Sequence, residues 1–217
     1  MKYPQRKVSK DILLGGENRN NMVEITNVKV YDLEEAVISA RNAMRLTPPE
    51  YTKEEFEASL ARAIKLAQAP NGSAHDHFLC GIRVAFDIKY PAYFSPELQR
   101  YHFCDIVCSS SKMHRLVNMN MDCAFNKYVT EDSKAQMKNL IQIYNRDKTY
   151  ENWMKVLSNC PLGIELFMRC TTNYLSLKTI YHQRHNHKLK EDWIKGFCVE
   201  FIEELPYFEE FILNMKN

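Results

Sequence analysis

Two segments of the chain carry the residue types that could do chemistry. The first reads Arg100-Tyr101-His102, then seven residues, then Ser110-Ser111-Lys112-Met113-His114. It gathers cations, imidazoles and hydroxyls between apolar stretches. An anion such as a nucleotide phosphate needs that donor set, because charge taken out of water must be met by charged or hydroxyl partners. A polar loop with a serine cap before a short helix explains the serines equally well. The second segment runs from Thr171 to His187. Eleven residues separate Asn173 from Arg184, close to three turns of helix, so the two side chains are expected on one face beside Leu177, Ile180 and Tyr181, with a threonine cap before them. An arginine fork in an apolar setting suits a planar polar group: carboxylate, phosphate or pyrimidine edge. His182, His185 and His187 lack the i, i+4 spacing of helical zinc motifs, so no metal is expected. The basic run from Gln183 to Lys190 also suits a helix C-terminus, where the dipole favours cations.

Composition bounds what these segments can belong to. The 217 residues are 45% hydrophobic and 26% charged, the profile of an ordinary globular protein. Twenty-nine Lys and Arg against twenty-seven Asp and Glu leave a net charge of +2, which argues against a nucleic-acid or anionic-membrane partner. No apolar run is long enough to span a bilayer and the first residues lack the apolar stretch of a leader, so a cytoplasmic location is expected. The seven cysteines, without a Cys-x-x-Cys pair, fit reduced thiols; Cys104 and Cys108 are expected as packing residues.

The elements that must position the two segments read as α+β, with a mixed or antiparallel sheet and a helical C-terminal half. Residues 1–21, broken by Pro4, Gly15 and Gly16, are expected as an arm, and 22–217 as one domain. Met22 to Tyr31 alternates as a strand, and Asp32 is placed to cap a helix through Met44. Thr52 opens a second helix, with a capping box, that stops before Pro70-Asn71-Gly72. Phe78 to Ile88 alternates as a strand, and Pro91, Ser95 and Pro96 lead into a short helix carrying Glu97, Gln99 and Arg100. Helices are expected over 131–146 and 150–157, from Pro161, and over 192–204.

Together the two segments resemble the flavin-dependent thymidylate synthases. That family carries an Arg-His-Arg, seven residues, Ser signature, and Arg100-Tyr101-His102 followed by Ser110 keeps the spacing with two substitutions. His75-Asp76-His77-Phe78 through Ile88 looks like its His-containing strand. Asn173, Arg184 and His187 look like the Asn, Arg and His of its long helix, and the resemblance covers about residues 22–205.

The resemblance implies an FAD enzyme that transfers a one-carbon group from methylenetetrahydrofolate to C5 of dUMP, with NADPH as reductant, in a homotetramer whose sites lie between subunits. Carried over residue by residue, it puts His77, Arg100, Tyr101, His102, Asn173 and His187 at the flavin. It puts Gln99, Ser110, Ser111, Lys112 and Arg184 at the nucleotide, with Arg184 also polarising the pyrimidine. Departures stand at the signature's centre: Tyr101 replaces a His, His102 an Arg, Lys112 an Arg, and Leu175 stands where a further Arg is common. A Lys keeps the charge of an Arg but not its bidentate fork. Three readings follow: a working enzyme, a relative that binds or sequesters a nucleotide without the chemistry, and a purely structural relative.

Overall fold

The computed structural model describes residues 21–70 and 73–214, so the expected arm lies, apart from Asn21, outside the described residues. Four strands, β1 (Glu24–Tyr31), β2 (Arg83–Pro91), β3 (Asp105–Ser109) and β4 (Glu165–Asn173), form an antiparallel sheet in the order β1-β2-β4-β3. Alternation decides its two faces. Val84, Phe86 and Ile88 of β2 and Leu166, Met168 and Cys170 of β4 point into the core. The other face is polar: Arg169 donates to Asp87 at 3.1 Å and to the Asn27 carbonyl at 3.0 Å, and Lys89 pairs with Glu165 at 2.9 Å.

Helices α1 (Leu33–Ser39), α2 (Lys53–Ala67), α5 (Glu131–Arg146), α6 (Tyr150–Ser158) and α7 (Tyr174–Arg184), with one-turn α3 (Ser95–Leu98) and α4 (Lys112–Arg115), join the strands. Thr52, Thr130, Thr149 and Asn173 cap α2, α5, α6 and α7 by accepting a backbone N–H three residues on. A later helix, Lys190–Ile202, has the wider π-type hydrogen-bond pattern, as does the short Glu209–Leu213 after it, and lays Phe197 and Phe201 on Phe86, at ring distances of 6.0 and 4.7 Å. Gly196 lets this helix close on the chain just before β1: a Cβ there would collide with the Val23 carbonyl oxygen.

Several expectations change. Residues 75–81 form a 3₁₀ turn, and the strand expected from Phe78 starts at Arg83. The reason is a buried ion pair: Lys178 Nζ on α7 donates to Asp76 Oδ2 at 2.8 Å and to the Ala67 carbonyl at 2.6 Å, pinning the turn to α7 and the end of α2. Asp32 makes no capping bond; its φ is 60° and it faces Arg83 at 3.6 Å, while α1 ends at Ser39 instead of Met44. Pro161 begins a turn, with Ile164 N–H donating to its carbonyl, and the chain enters β4 instead of a helix. Strands β2 and β3 both pair with β4, so tertiary hydrogen bonding overrides the helix-prone Glu-Leu-Phe-Met start. Cys104 packs against the core beside Cys170, but Cys108 is exposed on the edge strand β3. No helix among the described residues is long and apolar enough to cross a membrane.

Candidate functional site

A cleft of about 810 Å³ opens where the end of β4 turns into α7. His77 and Cys80 of the pinned turn form one wall, Arg100 to Phe103 another, and Asn173 at the end of β4 with Ser176, Thr179 and Arg184 of α7 the third. A second hollow of about 500 Å³ on the polar face of the sheet shares Cys80, Phe103 and Asn173 with it.

Arg184 is tied in from several sides. Its Nε donates to the Tyr101 hydroxyl at 2.7 Å, and its Nη1 donates to Glu97 Oε2 at 3.1 Å and lies 2.9 Å from His187 Nε2. The guanidinium lies over the Trp193 ring at 4.7 Å and the Tyr101 ring at 5.5 Å. Trp193 Nε1 donates to Glu97 Oε2 at 2.7 Å, and the Tyr101 hydroxyl donates to Gln183 at 3.0 Å. Four side chains, Glu97, Tyr101, His187 and Trp193, thus hold one guanidinium, while its Nη2 keeps no hydrogen bond among the described residues.

Asn173 meets Arg184 in this cleft by another route than expected. It is the last residue of β4, and its side-chain oxygen accepts from Ser176 N–H at 2.9 Å, so Asn173 caps α7 and the threonine does not. Leu177, Ile180 and Tyr181 are buried on the opposite, core face of α7. The histidines divide. His182 bonds the Ile212 carbonyl at 2.8 Å, and burial lowers its pKa; His185 bonds the Tyr181 carbonyl at 2.9 Å; only His187 reaches Arg184.

Of the expected site residues, His77, Arg100, Tyr101, His102, Asn173 and Arg184 line the cleft. His187 sits behind Arg184, edge-on to Trp193 at 6.2 Å. Gln99 is turned away, donating to Ser95 at 2.7 Å. Ser110, Ser111 and Lys112 do not reach it. Ser110 exchanges hydrogen bonds with Phe167, its N–H donating at 2.8 Å and its hydroxyl accepting at 3.1 Å, which extends the pairing of β3 with β4. Phe167 and Asn173 are six residues apart on β4, roughly 20 Å of strand, so within one chain Ser110 lies at the other end of the sheet from Asn173 and the cleft. Glu97, Trp193 and Phe103 were not among the expected site residues. Phe103 holds φ of 64°, unusual for a bulky residue, and its exposed ring separates the two hollows.

Behind the Glu97 cluster, Asp192 is buried and accepts from the Tyr93 hydroxyl at 3.0 Å. Burial first, with Glu191 and Glu97 adding, pushes its carboxyl up from 3.8 to about 6. Across that window the folded chain keeps a proton that the unfolded chain has lost. Stability therefore falls as pH rises from about 4 to about 6 and stays lower above it, by on the order of 2 kcal/mol. Asp192→Asn keeps an acceptor for Tyr93. Urea melts are expected to show it more stable than the wild type at pH 7.5, with the advantage gone near pH 4.

No family model matches the chain, and no curated protein sequence does either. Solved structures do. A crystal structure of the flavin-dependent thymidylate synthase ThyX from Helicobacter pylori with FAD and dUMP is similar at a TM-score of 0.63 and 17% identity, over 89% of this chain and 99% of that chain. A second such structure, also with FAD and dUMP, gives 0.61 and 16% over 88% and 96%. The cleft beside Arg184 is thus built on the fold of the flavin-dependent thymidylate synthases.

Proposed function

We propose that the chain is a flavoenzyme that binds FAD and a pyrimidine deoxynucleotide, dUMP first among them, and transfers a one-carbon group from methylenetetrahydrofolate to C5, with NADPH as reductant. The observation that carries this is Arg184, immobilised by Glu97, Tyr101 and Trp193 with one donor edge left over, in a cleft on a fold whose relatives hold FAD and dUMP. The cleft suits a flavin: it has room for a tricyclic ring, apolar contacts from Phe103 and Leu175, and Arg100, which makes no ion pair among the described residues and is free to meet a pyrophosphate. Bound FAD would supply hydride and redox chemistry. The chain's own work is to orient the pyrimidine on Arg184, to meet the pyrophosphate charge with Arg100, and to keep α7 rigid.

Ser110 and Lys112 remain our choice for the nucleotide phosphate, supplied by a second copy. Their distance from Arg184 within one chain supports this reading. The exposed side chains of Val107 and Phe167 on and beside the edge strand offer apolar surface such a copy would cover. A homotetramer with shared sites fits both points.

A second reading, a nucleotide binder without turnover, is favoured by Tyr101. Its hydroxyl is committed to Arg184 and Gln183 where the signature has a titratable His, so one cationic donor is missing from the flavin side. The purified protein is expected to be yellow and to release FAD on denaturation; a colourless protein that cannot be reconstituted with FAD overturns the flavoenzyme reading. Thermal stabilisation by dUMP, without tritium release from C5-labelled dUMP in the presence of NADPH and methylenetetrahydrofolate, selects the second reading.

A further inference from the structure

Arg184 and Glu97 form an incomplete pair. Nη1 meets Oε2 at 3.1 Å, while Nη2 and Oε1 take no hydrogen bond among the described residues. A guanidinium and a carboxylate this shielded, 15% and 28% exposed, ordinarily close into a fork with two parallel bonds, the stronger arrangement. Here the fork is held open. Two other contacts act on the guanidinium: Nε donates to the Tyr101 hydroxyl at 2.7 Å, and Cζ lies over the Trp193 ring at 4.7 Å. Trp193 also donates to Glu97 Oε2 at 2.7 Å, so it serves both partners and does not choose between one bond and two. Tyr101 bonds only the arginine of the pair. Its hydroxyl donates to Gln183 Oε1 at 3.0 Å, which leaves a lone pair for Nε, and its ring stands edge-on to Trp193 at 6.2 Å.

We infer that Tyr101 is a positioning residue for the nucleotide: its hydroxyl, acting through Arg184 Nε, keeps the guanidinium from closing on Glu97 and so leaves Nη2 free for the pyrimidine. This rests on the reading of Arg184 as the pyrimidine contact. It moves Tyr101 from the flavin side, where the signature residue is expected, to the nucleotide side. Net charge is not what Tyr101 controls. Arg100 lines the same cleft without an ion pair among the described residues, so the cleft stays cationic whichever way Arg184 turns. What turns with Arg184 is its donor edge. An imidazole at this position, as in the signature, is shorter than a phenol and does not reach Nε.

The test measures two affinities on the full chain: FAD by its fluorescence, and dUMP by calorimetric titration of the FAD-loaded protein. Tyr101→Phe keeps the ring and removes the hydroxyl. It is expected to weaken dUMP roughly ten-fold while leaving the FAD affinity within about two-fold, since what is lost is one hydrogen bond to a charged group and the edge it holds. Tyr101→His is expected to match it. Glu97→Gln removes the carboxylate on which Arg184 would close, so in that background Tyr101→Phe is expected to weaken dUMP less than about three-fold, a coupling that a general packing role does not produce. The inference is overturned by a Tyr101→Phe or Tyr101→His chain that binds dUMP as the wild type does, by a loss of FAD affinity as large as the loss for dUMP, or by a ten-fold loss that persists beside Glu97→Gln. Tyr101→His decides where Tyr101→Phe fails to fold, and the single variants decide where the double one does. A wild type that binds FAD but no dUMP overturns the nucleotide reading of the cleft and this inference with it; a wild type that binds both, with variants that bind equally well, overturns only the role of Tyr101.

Discussion

Arg184→Lys is expected to lower turnover of the nucleotide by about 10²-fold, with a smaller rise in KM, in a chain that still folds. Lysine keeps the charge opposite Glu97, but it loses the planar fork that bonds Tyr101 and Glu97 at once, the stacking on Trp193, and the free donor edge. Removing one well-placed donor of a preorganised site costs about that factor, and the loss falls on kcat because the geometry matters most where charge develops. The same change should cost roughly 1–3 kcal/mol of stability, since the Tyr101 and Trp193 contacts go with it. For a chain of this size that is a drop in Tm of several degrees. Steady-state kinetics with melting curves check both. Unaltered turnover in Arg184→Lys would remove Arg184 from the site.

Lys178→Met should produce the largest loss of stability of any single change outside the aromatic core, about 3–5 kcal/mol. It leaves the Asp76 carboxylate buried without its cation and the Ala67 carbonyl without its donor, at a place where the Lys178 side chain is only 3% exposed. Pairing it with Asp76→Leu, which removes the stranded charge, is expected to recover a good part of that loss, because replacing a buried ion pair by apolar groups of similar volume is often close to neutral. Thermal melts of the two singles and the double give the coupling directly. The consequence reaches function. The turn that Asp76 pins also carries His77 and Cys80, one wall of the cleft, so Lys178→Met is expected to weaken flavin binding even at temperatures where it remains folded.

The amphipathic helices after Thr52, Thr130 and Thr149 were the most legible part of the chain, whereas of the expected caps Thr52 forms and Asp32 and the threonine before Asn173 do not. Thr52 is followed by acidic residues and an apolar rhythm, and the helix it opens is built as the local pattern dictates, as are the helices after Thr130 and Thr149. The strand of residues 165–173 was hidden for the opposite reason. Its side chains alternate inward and outward, but Glu, Leu and Met at its start satisfy a helix as readily, and only the edges of β2 and β3 on either side choose between the two. The turn at residues 75–81 was hidden because its cause, Lys178, lies 102 residues away.

Residue type and spacing along the chain determined which groups could serve a site: the spacing of Arg100 and Ser110, and the three turns between Asn173 and Arg184, are local facts of sequence. Which of them meet was decided by tertiary structure alone. A strand separates Ser110 from the cleft by its full length, while a helix returns Arg184 to Asn173 and Arg100. The counter-charge on Arg184 is likewise tertiary, since Glu97 reaches it from 87 residues away along the chain. The physical reason is the same in each case. Propensity and capping act over a few residues, whereas a buried charge must be met by whatever partner the packing brings to it, and the packing is a property of the whole chain.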